Sequence, residues 1–338
     1  MKKMWLLVAL VMCLLLPCVS TAAQRYSKNG DYFQYVLLED GTAEITRYSG
    51  KKENLIIPDT LNGHTVTSIG EEAFYYSYDP LPLTAVTIPE GVTNIGNRAF
   101  SNCTNLTSIT LPESLLSIGD YAFANCSMTS IDIPNSITTI GHVPFSNCKN
   151  LTEIILSLNH PTYAVIDGVL FNHVENRLMI YPIALPAEQY TVPEGTLIID
   201  PVAFAYCSNL KEITLPYSLR AIGNRAFALC SNLASVSIPS STTSIDGSFL
   251  FYKCNNLISV YVASPSPAEN YCIENNIPYV RTPGEKWICK DCRSINTGNF
   301  CTECGSSKPV DRSNCPYCNY EFFEDEHPKF CPNCGKKQ

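Results

Sequence analysis

The sequence lacks the local motifs of the common enzyme classes. No G-x-S-x-G, H-E-x-x-H, P-loop or dinucleotide-binding pattern occurs in its 338 residues, and each of these motifs works by holding reactive groups at a fixed spacing. Histidine is scarce: the five residues are His64, His142, His160, His173 and His327, and none belongs to a local metal or nucleophile motif. We therefore predict that the protein is not an enzyme.

An excess of basic residues and a second long apolar run are also missing. The chain has 23 Lys and Arg against 31 Asp and Glu, a formal net charge of −8, so it has no general attraction to nucleic acid or to anionic lipid. Only residues 4–19 form a long apolar run, and a membrane-spanning helix needs about 20 such residues. We expect no membrane span once the leader is removed.

Residues 1–23 have the pattern of a signal peptide. Lys2 and Lys3 form a charged start, the apolar run follows, and small residues at 20–23 provide a cleavage site after Ala22 or Ala23. An uncleaved anchor is the alternative, and lipid attachment at Cys18 is disfavoured by Pro17. The leader predicts an exported protein that is secreted or associated with the cell surface.

A motif repeats along the chain every 22 to 24 residues, which is typical of a solenoid. Each copy reads L-x-x-I-x-I/L-P, then an Ile-Gly pair, then A-F-x-x-C. The Phe and Cys of this last element recur at Phe100/Cys103, Phe123/Cys126, Phe145/Cys148, Phe204/Cys207, Phe227/Cys230 and Phe251/Cys254. The first copy is a variant that has Phe74 and Ser77 in those places.

The repeat positions predict short strands separated by turns. Ile109 and Leu111 are two residues apart and share one face of a strand, so Thr110 between them points away from the core. Pro112 ends this strand because it cannot donate a ladder hydrogen bond. Gly119 lets the chain turn where a side chain would clash.

The pattern divides the chain into five regions. After the leader, residues 24–54 read as a β-hairpin cap around the turn pair Asp40-Gly41, and residues 55–262 carry the repeats. Residues 155–190 break the period and read as two strands around a turn. Residues 263–284 form a distal cap and linker, with a helix over 267–275, and residues 285–338 form a separate domain.

Seven cysteines belong to the repeats and the distal cap: Cys103, Cys126, Cys148, Cys207, Cys230, Cys254 and Cys272. Disulfides are one interpretation, since the protein is exported. Equivalent side chains in stacked turns point the same way, however, which suits the dihedral angle of a disulfide badly. We therefore predict buried thiols, one in each turn.

Eight further cysteines form four C-x-x-C units within 46 residues. They are Cys289, Cys292, Cys301, Cys304, Cys315, Cys318, Cys331 and Cys334. Two such units supply the four thiolates of a tetrahedral Zn²⁺ site, so we predict two structural zinc ions, with disulfides as the alternative. Residues 285–338 carry eight basic and eight acidic residues, so this region has no basic patch for nucleic acid.

Two surfaces are candidates for ligand binding. The first is the set of outward-pointing strand residues Thr87, Thr110, Asp132, Ile155, Thr214, Ser237 and Tyr261. The alternative is that Thr and Ser are only favourable solvated strand residues. The second is the inserted hairpin with Tyr163, Phe171 and Tyr181, whose aromatic rings would alternatively pack on the solenoid.

Through its Ile-Pro, Ile-Gly, Ala-Phe and Phe-x-x-Cys elements, the region 32–280 resembles the BspA-like leucine-rich repeat family of bacterial surface and secreted proteins. The resemblance implies a mainly β leucine-rich-repeat solenoid, here of about eight or nine turns, with terminal caps. It also implies, for some members, adhesion to extracellular proteins or cells. The tail resembles double zinc ribbon modules. By proximity in the sequence, the simplest ligand sets are the cysteines at 289, 292, 301 and 304 and those at 315, 318, 331 and 334.

These features favour a secreted or cell-surface binding protein. The solenoid would recognise an extracellular protein or glycan, and the zinc ribbon would be a structural or interaction module. A structural scaffold that self-assembles through the ribbon is the alternative, and an enzyme of unrecognised type is a third.

Overall fold

The computed structural model describes residues 22–76, 80–247 and 249–282, and the backbone of two further strands at 287–288 and 295–296. The chain divides into two compact units. The first comprises Met1–Phe123 with Ser136–Gly141, and the second comprises Ala124–Asn135 with His142–Gln338. The two units are described separately below.

The described chain consists of short strands and one helix. The first strands are β1 (Gln24–Lys28), β2 (Asp31–Leu37), β3 (Ala43–Ser49), β4 (Asn54–Ile56), β5 (Thr60–Leu61), β6 (His64–Ile69), β7 (Ala85–Thr87), β8 (Asn94–Ile95), β9 (Ser108–Thr110), β10 (Ser117–Ile118), β11 (Ser130–Ile133), β12 (Thr139–Ile140) and β13 (Glu153–Leu156). The later elements are β14 (Tyr163–Ile166), β15 (Val169–Asn172), β16 (Arg177–Ile180), β17 (Gln189–Thr191), β18 (Ile198–Ile199), β19 (Glu212–Thr214), β20 (Ala221–Ile222), β21 (Ser235–Ile238), β22 (Ser244–Ile245), β23 (Ser259–Ala263), α1 (Pro267–Glu274), β24 (Tyr279–Thr282), β25 (Trp287–Ile288) and β26 (Ile295–Asn296).

Each regular turn contributes two strands, and each kind of strand stacks into its own parallel sheet. The strand that precedes a proline lies in what we call an Ile-Pro sheet, and the strand that precedes a turn glycine lies in an Ile-Gly sheet. In the first unit the Ile-Pro sheet has the order β4-β7-β9. The Ile-Gly sheet has the order β1-β2-β3-β6-β8-β10-β12, with β5 beside β6.

The second unit repeats this arrangement. Its Ile-Pro strands form the sheets β11-β13 and β17-β19-β21-β23-β24, and its Ile-Gly sheet has the order β14-β15-β16-β18-β20-β22. Strands β25 and β26 pair with each other in an antiparallel sense. The predicted mainly β solenoid is present, with about 10 turns instead of the expected eight or nine. The difference arises at the two ends of the solenoid. There β3 pairs in parallel with β6, and β24 pairs in parallel with β23, although β3 and β24 do not carry the repeat motif.

The phenylalanines of the A-F-x-x-C element stack along the core of each unit. In the first unit, the ring centroids of Phe74 and Phe100 are 4.6 Å apart, and those of Phe100 and Phe123 are 5.6 Å apart. In the second unit, Phe204 and Phe227 are separated by 5.3 Å, and Phe227 and Phe251 by 5.6 Å. Burial of these stacked rings contributes to the stability of each core.

The glycine of the Ile-Gly pair is required by close approach to the preceding turn. A Cβ atom on Gly119 would lie 2.6 Å from the backbone nitrogen of Asn97, and one on Gly223 would overlap the backbone nitrogen of Pro201. Such contacts are far inside van der Waals distance, so any side chain would push the turns apart.

The N-terminal region contains the predicted hairpin and one further strand. Strands β2 and β3 pair antiparallel on either side of the Asp40-Gly41 turn, and β1 adds to the free side of β2. Asp31 is buried at the start of β2, where its carboxylate accepts a 2.7 Å hydrogen bond from Tyr48 Oη and pairs with Lys52 Nζ at 2.6 Å. All three strands extend the Ile-Gly sheet, and none covers the Ile-Pro sheet.

The inserted region has three strands where the sequence indicated two. Strands β14, β15 and β16 form an antiparallel meander, and β16 then joins the Ile-Gly sheet through β18. The first predicted strand is itself a hairpin, because Asp167 and Gly168 both adopt positive φ angles, of 51° and 81°. Two consecutive residues of this kind make a tight hairpin turn.

The insertion also explains an irregular repeat residue. Asp200 stands where most other turns have glycine. Its carboxylate accepts hydrogen bonds from Nε and Nη2 of Arg177 at 2.8 and 2.5 Å. Arg177 lies on β16, so the insertion supplies the partner that a buried aspartate needs. Burial raises the pKa of Asp200, and Arg177 opposes that rise.

The predicted helix of the distal cap is confirmed. Helix α1 runs over Pro267–Glu274, with proline in its first turn, and the Ser266 side chain accepts a hydrogen bond from the backbone N–H of Glu269. Arg281 on β24 donates through Nε to the buried carboxylate of Glu269 over 2.5 Å. Among the described residues, no helix has the length and apolar character needed to cross a bilayer.

Candidate functional site

All seven residues predicted to point outward from the Ile-Pro strands are exposed: Thr87, Thr110, Asp132, Ile155, Thr214, Ser237 and Tyr261. We call this set the outer ladder. The strand register aligns its members, pairing Thr87 with Thr110 in the first unit and Ser237 with both Thr214 and Tyr261 in the second. Stacked strands are about 4.8 Å apart, so each part of the ladder presents side chains at a regular spacing.

Charged and amide side chains flank the ladder in the second unit. Lys211 Nζ lies 2.7 Å from Glu188 Oε1, and Gln189 Nε2 donates to Glu212 Oε2 over 3.1 Å. These pairs join adjacent turns, and they are exposed, so each contributes little to stability. Their presence beside the hydroxyl-bearing positions gives this face both donors and acceptors.

Three further residues align with members of the outer ladder but were absent from the predicted set. The register pairs Ile56 with Thr87, Thr191 with Thr214, and Val280 with Tyr261. The first two precede I-P and V-P pairs, at 57–58 and 192–193, so the repeat pattern could have identified them. No such signal marks Val280, which only the pairing of β24 with β23 reveals.

The inserted hairpin does not provide the predicted aromatic surface. Tyr163, Phe171 and Tyr181 are only 4%, 4% and 2% exposed. Phe171 and Tyr181 belong to the core of the second unit, where the Tyr181 ring lies 5.1 Å from that of Phe204. The prediction of an aromatic binding surface on the hairpin is therefore wrong. The alternative, in which these aromatic rings pack on the solenoid, is correct. Rings of this size are more stable buried in contact with the core than exposed to water.

The repeat cysteines are thiols, buried as predicted except for Cys254, which is partly exposed. In the first unit, Cys103 Sγ donates to the backbone carbonyl of Phe74 at 3.4 Å. In the second, Cys230 and Cys254 donate to the carbonyls of Phe204 and Phe227, each at 2.9 Å. Each of these thiols therefore links its turn to the preceding one.

Burial changes the chemistry of these thiols. It raises the pKa of Cys103 and of Cys148 to about 12, and that of Cys272 to about 11. Cys254 differs, because a hydrogen bond with the Cys230 thiol lowers its pKa. The repeat cysteines thus act mainly as compact core groups and weak donors.

His160 has a structural role in the turn that precedes β14. Nδ1 of His160 accepts hydrogen bonds from the backbone N–H groups of Thr162 and Tyr163, at 3.2 and 3.1 Å. Within the residues that the structure describes, no three or more His, Cys, Asp or Glu side chains form a group able to hold a metal ion. The eight tail cysteines, Cys289 to Cys334, and most of the leader lie outside the described residues.

Comparison with known families identifies the repeat. The model of the BspA type leucine rich repeat region matches residues 67–173 and 184–283, in six copies, which is more than half of the chain. No curated protein matches the chain.

Several solved structures are similar in fold. A leucine-rich repeat protein from Eubacterium ventriosum is 26% identical, with a TM-score of 0.54, over 72% of this chain and 73% of that one. The pneumococcal vaccine antigen PcpA is 19% identical, with a TM-score of 0.51, over 71% and 81% of the two chains. A leucine rich cell surface protein from Faecalibacterium prausnitzii is 23% identical, with a TM-score of 0.49, over 79% and 96%. The chain belongs to the BspA type leucine-rich repeat family.

Proposed function

We propose that the protein is an exported or cell-surface binding protein whose outer ladder contacts an extracellular protein or glycan. The observation that supports this most directly is the exposure of all seven ladder residues at aligned positions of stacked strands. A ligand that lies across several strands makes the same contact repeatedly, and several weak contacts on one ligand add to a useful affinity.

The chemistry of the ladder suits a polar ligand. Thr87, Thr110, Thr214 and Ser237 carry hydroxyl groups, which both donate and accept hydrogen bonds. Tyr261 adds an exposed aromatic ring at the distal end. Hydroxyl and aromatic groups together favour the amide groups of a protein surface or the hydroxyl groups of a sugar over a phosphate backbone.

The leading test is a pair of exposed substitutions in the second unit. Ser237→Arg places a long charged side chain in the ladder, whereas Thr243→Arg places the same side chain before β22, at the Ile-Gly sheet. Both positions are exposed, so both proteins should fold with stabilities within about 0.5 kcal/mol of the parent. Binding to immobilised extracellular-matrix proteins and glycans should weaken at least tenfold for Ser237→Arg only. Equal binding by the parent and both variants would contradict the proposal.

The tail cysteines are proposed to hold two structural zinc ions. Support comes from the four C-x-x-C units, which supply two complete sets of four thiolates. Metal analysis of the protein exported by its own host should find about two zinc ions per chain. Tail cysteines that carry neither metal nor free thiol would instead support the disulfide alternative.

Self-assembly through the ribbon is the second candidate function. Light scattering of the full chain and of a chain ending at Gly284 distinguishes it from the first. A larger mass for the full chain alone would support a scaffold. Equal monomer masses would contradict the scaffold function.

A further inference from the structure

The N-terminal cap covers one of the two sheets of the first unit and leaves the other with an open edge. Strands β1, β2 and β3 continue the Ile-Gly sheet beyond β6, whereas the Ile-Pro sheet stops at β4. A sheet edge presents unpaired backbone donors and acceptors and is a site for adding another strand. The edge of β4 is therefore a candidate for a second binding site.

Hydrogen bonding shows which backbone groups of β4 face this edge. Glu53 O accepts from the N–H groups of Thr84 and Ala85, and Ile57 N donates to Thr87 O. Alternate residues of a parallel strand bond to the same neighbour, so Glu53, Leu55 and Ile57 bond towards β7. By the same alternation, the backbone groups of Asn54 and Ile56 point away from β7, and within the described chain β7 is the one strand that pairs with β4.

A groove of about 410 Å³ lies beside this edge. Its lining includes residues 56–59, at and after the end of β4, together with residues of β1, β2 and their turn. In the stack, β3 lies one level beyond β6, yet no Ile-Pro strand of the described chain lies one level beyond β4. The groove therefore lies on the open side of β4, at its Ile56 end. Its volume is within the range of about 300–1,000 Å³ of ligand sites.

The lining of the groove indicates the character of an occupant. Phe33 and Ile57 are buried and apolar, and Tyr26 and Pro58 add to the apolar surface. The charges nearly balance, because Lys52 pairs with Asp31, and the rim carries one further lysine, Lys28, and one further aspartate, Asp59. A neutral groove with an apolar floor disfavours a polyanion such as a sulfated glycan or a nucleic acid.

We propose that β4 binds an extended peptide segment of another protein, which adds as a strand to the Ile-Pro sheet and places an apolar side chain on the groove floor. The open backbone groups of Asn54 and Ile56 supply the hydrogen bonds, as in other cases of strand addition. The inference rests on the proposed role as a binding protein and names one ligand class for one site. It does not require the outer ladder to bind anything.

The probe is an acetylated and amidated peptide with the sequence of residues 83–89, Leu-Thr-Ala-Val-Thr-Ile-Pro. These residues include β7, which already pairs with the other edge of β4, and the capped peptide carries no charge. Binding of the labelled peptide to the full exported chain is measured by fluorescence anisotropy. The expected result is saturable binding.

Two substitutions at one position test the role of the edge. Ile56→Pro removes the open N–H without removing a bond to β7, which is the arrangement in which edge strands tolerate proline. Ile56→Thr keeps the donor and reproduces the residue found at Thr87. Peptide affinity should fall at least tenfold for Ile56→Pro and change less than twofold for Ile56→Thr. Equal affinities of the two variants would overturn the proposal.

Modified peptides keep the test decisive if Ile56→Pro does not fold. Two versions of the peptide are N-methylated at alternate sets of amides, because only every second amide of an added strand faces β4. One set should bind the parent chain like the unmodified peptide, and the other at least tenfold more weakly. Equal binding by both, absence of saturable binding, or light scattering that shows a second copy paired on this edge would each overturn the inference. Ser237→Arg should bind the peptide normally, which separates this outcome from failure of the outer ladder.

Discussion

Cys230 Sγ donates a hydrogen bond over 2.9 Å to the backbone carbonyl of Phe204, 26 residues earlier in the chain. The same carbonyl accepts from the backbone N–H of Cys207, its local turn partner. The thiol thus links the Phe-x-x-Cys elements of two consecutive turns. A sulfur directed at the carbonyl of the preceding turn explains why a cysteine serves in this repeat without forming a disulfide.

Replacement of this thiol should destabilise the second unit. Cys230→Ala removes a buried sulfur and one inter-turn hydrogen bond, and we expect a loss of about 1–3 kcal/mol in the free energy of unfolding. The measurement is urea unfolding of the reduced chain, monitored by circular dichroism. Cys254→Ala, at the partly exposed equivalent position, serves as the control and should cause a smaller loss. A loss for Cys254→Ala as large as that for Cys230→Ala would contradict this account.

The repeat thiols should differ in reactivity. Only the thiolate is nucleophilic, and burial raises the pKa of Cys103 and Cys148 to about 12, whereas Cys254 is partly exposed and has a lowered pKa. Brief treatment of the native protein with iodoacetamide at pH 8, followed by peptide mass mapping, should find Cys254 modified first among these three. Equal labelling of Cys103 and Cys254 in the native protein would show that the core is open.

Acid should loosen the distal cap before the rest of the second unit. The hydrogen bond from Arg281 lowers the pKa of Glu269 from its usual 4.5. A lowered pKa in the folded state stabilises the cap above the unfolded value, and that contribution is lost as the pH falls through the lowered pKa. Hydrogen exchange at the amides of α1 should therefore accelerate below about pH 4.5 relative to those of β20.

Glu269→Gln provides the control for this pH dependence. It keeps the shape of the side chain but has no proton to gain, so exchange in α1 should be faster at pH 7 and no longer respond selectively to acid. An unchanged pH profile in this variant would show that another group controls the cap.

The turn glycines should tolerate no side chain. Gly223→Ala would put a Cβ in overlap with the backbone nitrogen of Pro201, and relief of that contact requires a backbone shift that costs about 1–3 kcal/mol. Thermal unfolding followed by circular dichroism should show the lower midpoint. Asn224→Ala, at the adjacent exposed residue, should leave the midpoint nearly unchanged. Similar midpoints for Gly223→Ala and the parent would mean that the turns separate easily.

A left-handed turn residue offers a stabilising change. Leu229 adopts φ of 62°, a conformation in which the equivalent Asn102 and Asn125 are also found, at 63° and 62°. Asparagine tolerates this region better than leucine does. Leu229→Asn should raise the free energy of unfolding by about 0.5–1 kcal/mol, measured by urea unfolding. Asn125→Leu is the reverse change and should lower it.

The sequence predicted the features that depend only on a residue's position within the repeat. Because side chains alternate along a strand, Ile109 and Leu111 on either side of Thr110 were enough to place that threonine in solvent. The same phase predicted burial of Phe123 and Cys126. The helix that starts at Pro267 was also predicted from the sequence.

Features that depend on which strands become neighbours were not predictable in this way. Three examples are the alignment of Val280 with Tyr261, the pairing of Arg177 with Asp200 and the burial of Tyr163. Each involves a residue that lies outside the regular repeats. Each follows from how an irregular segment folds back on the stack. A single sequence carries no periodic signal for such contacts.

The sequence by itself determined that this chain is a β-solenoid, which face of each strand is buried and where one cysteine per turn lies. It did so because stacking identical turns requires the same small, apolar and turn-forming residues at the same positions. Only the tertiary structure decided that the N-terminal cap extends one sheet and leaves the edge at Asn54 and Ile56 open. The physical reason is that backbone hydrogen bonds can pair any two extended segments, so the choice of partner depends on the three-dimensional packing of the whole cap.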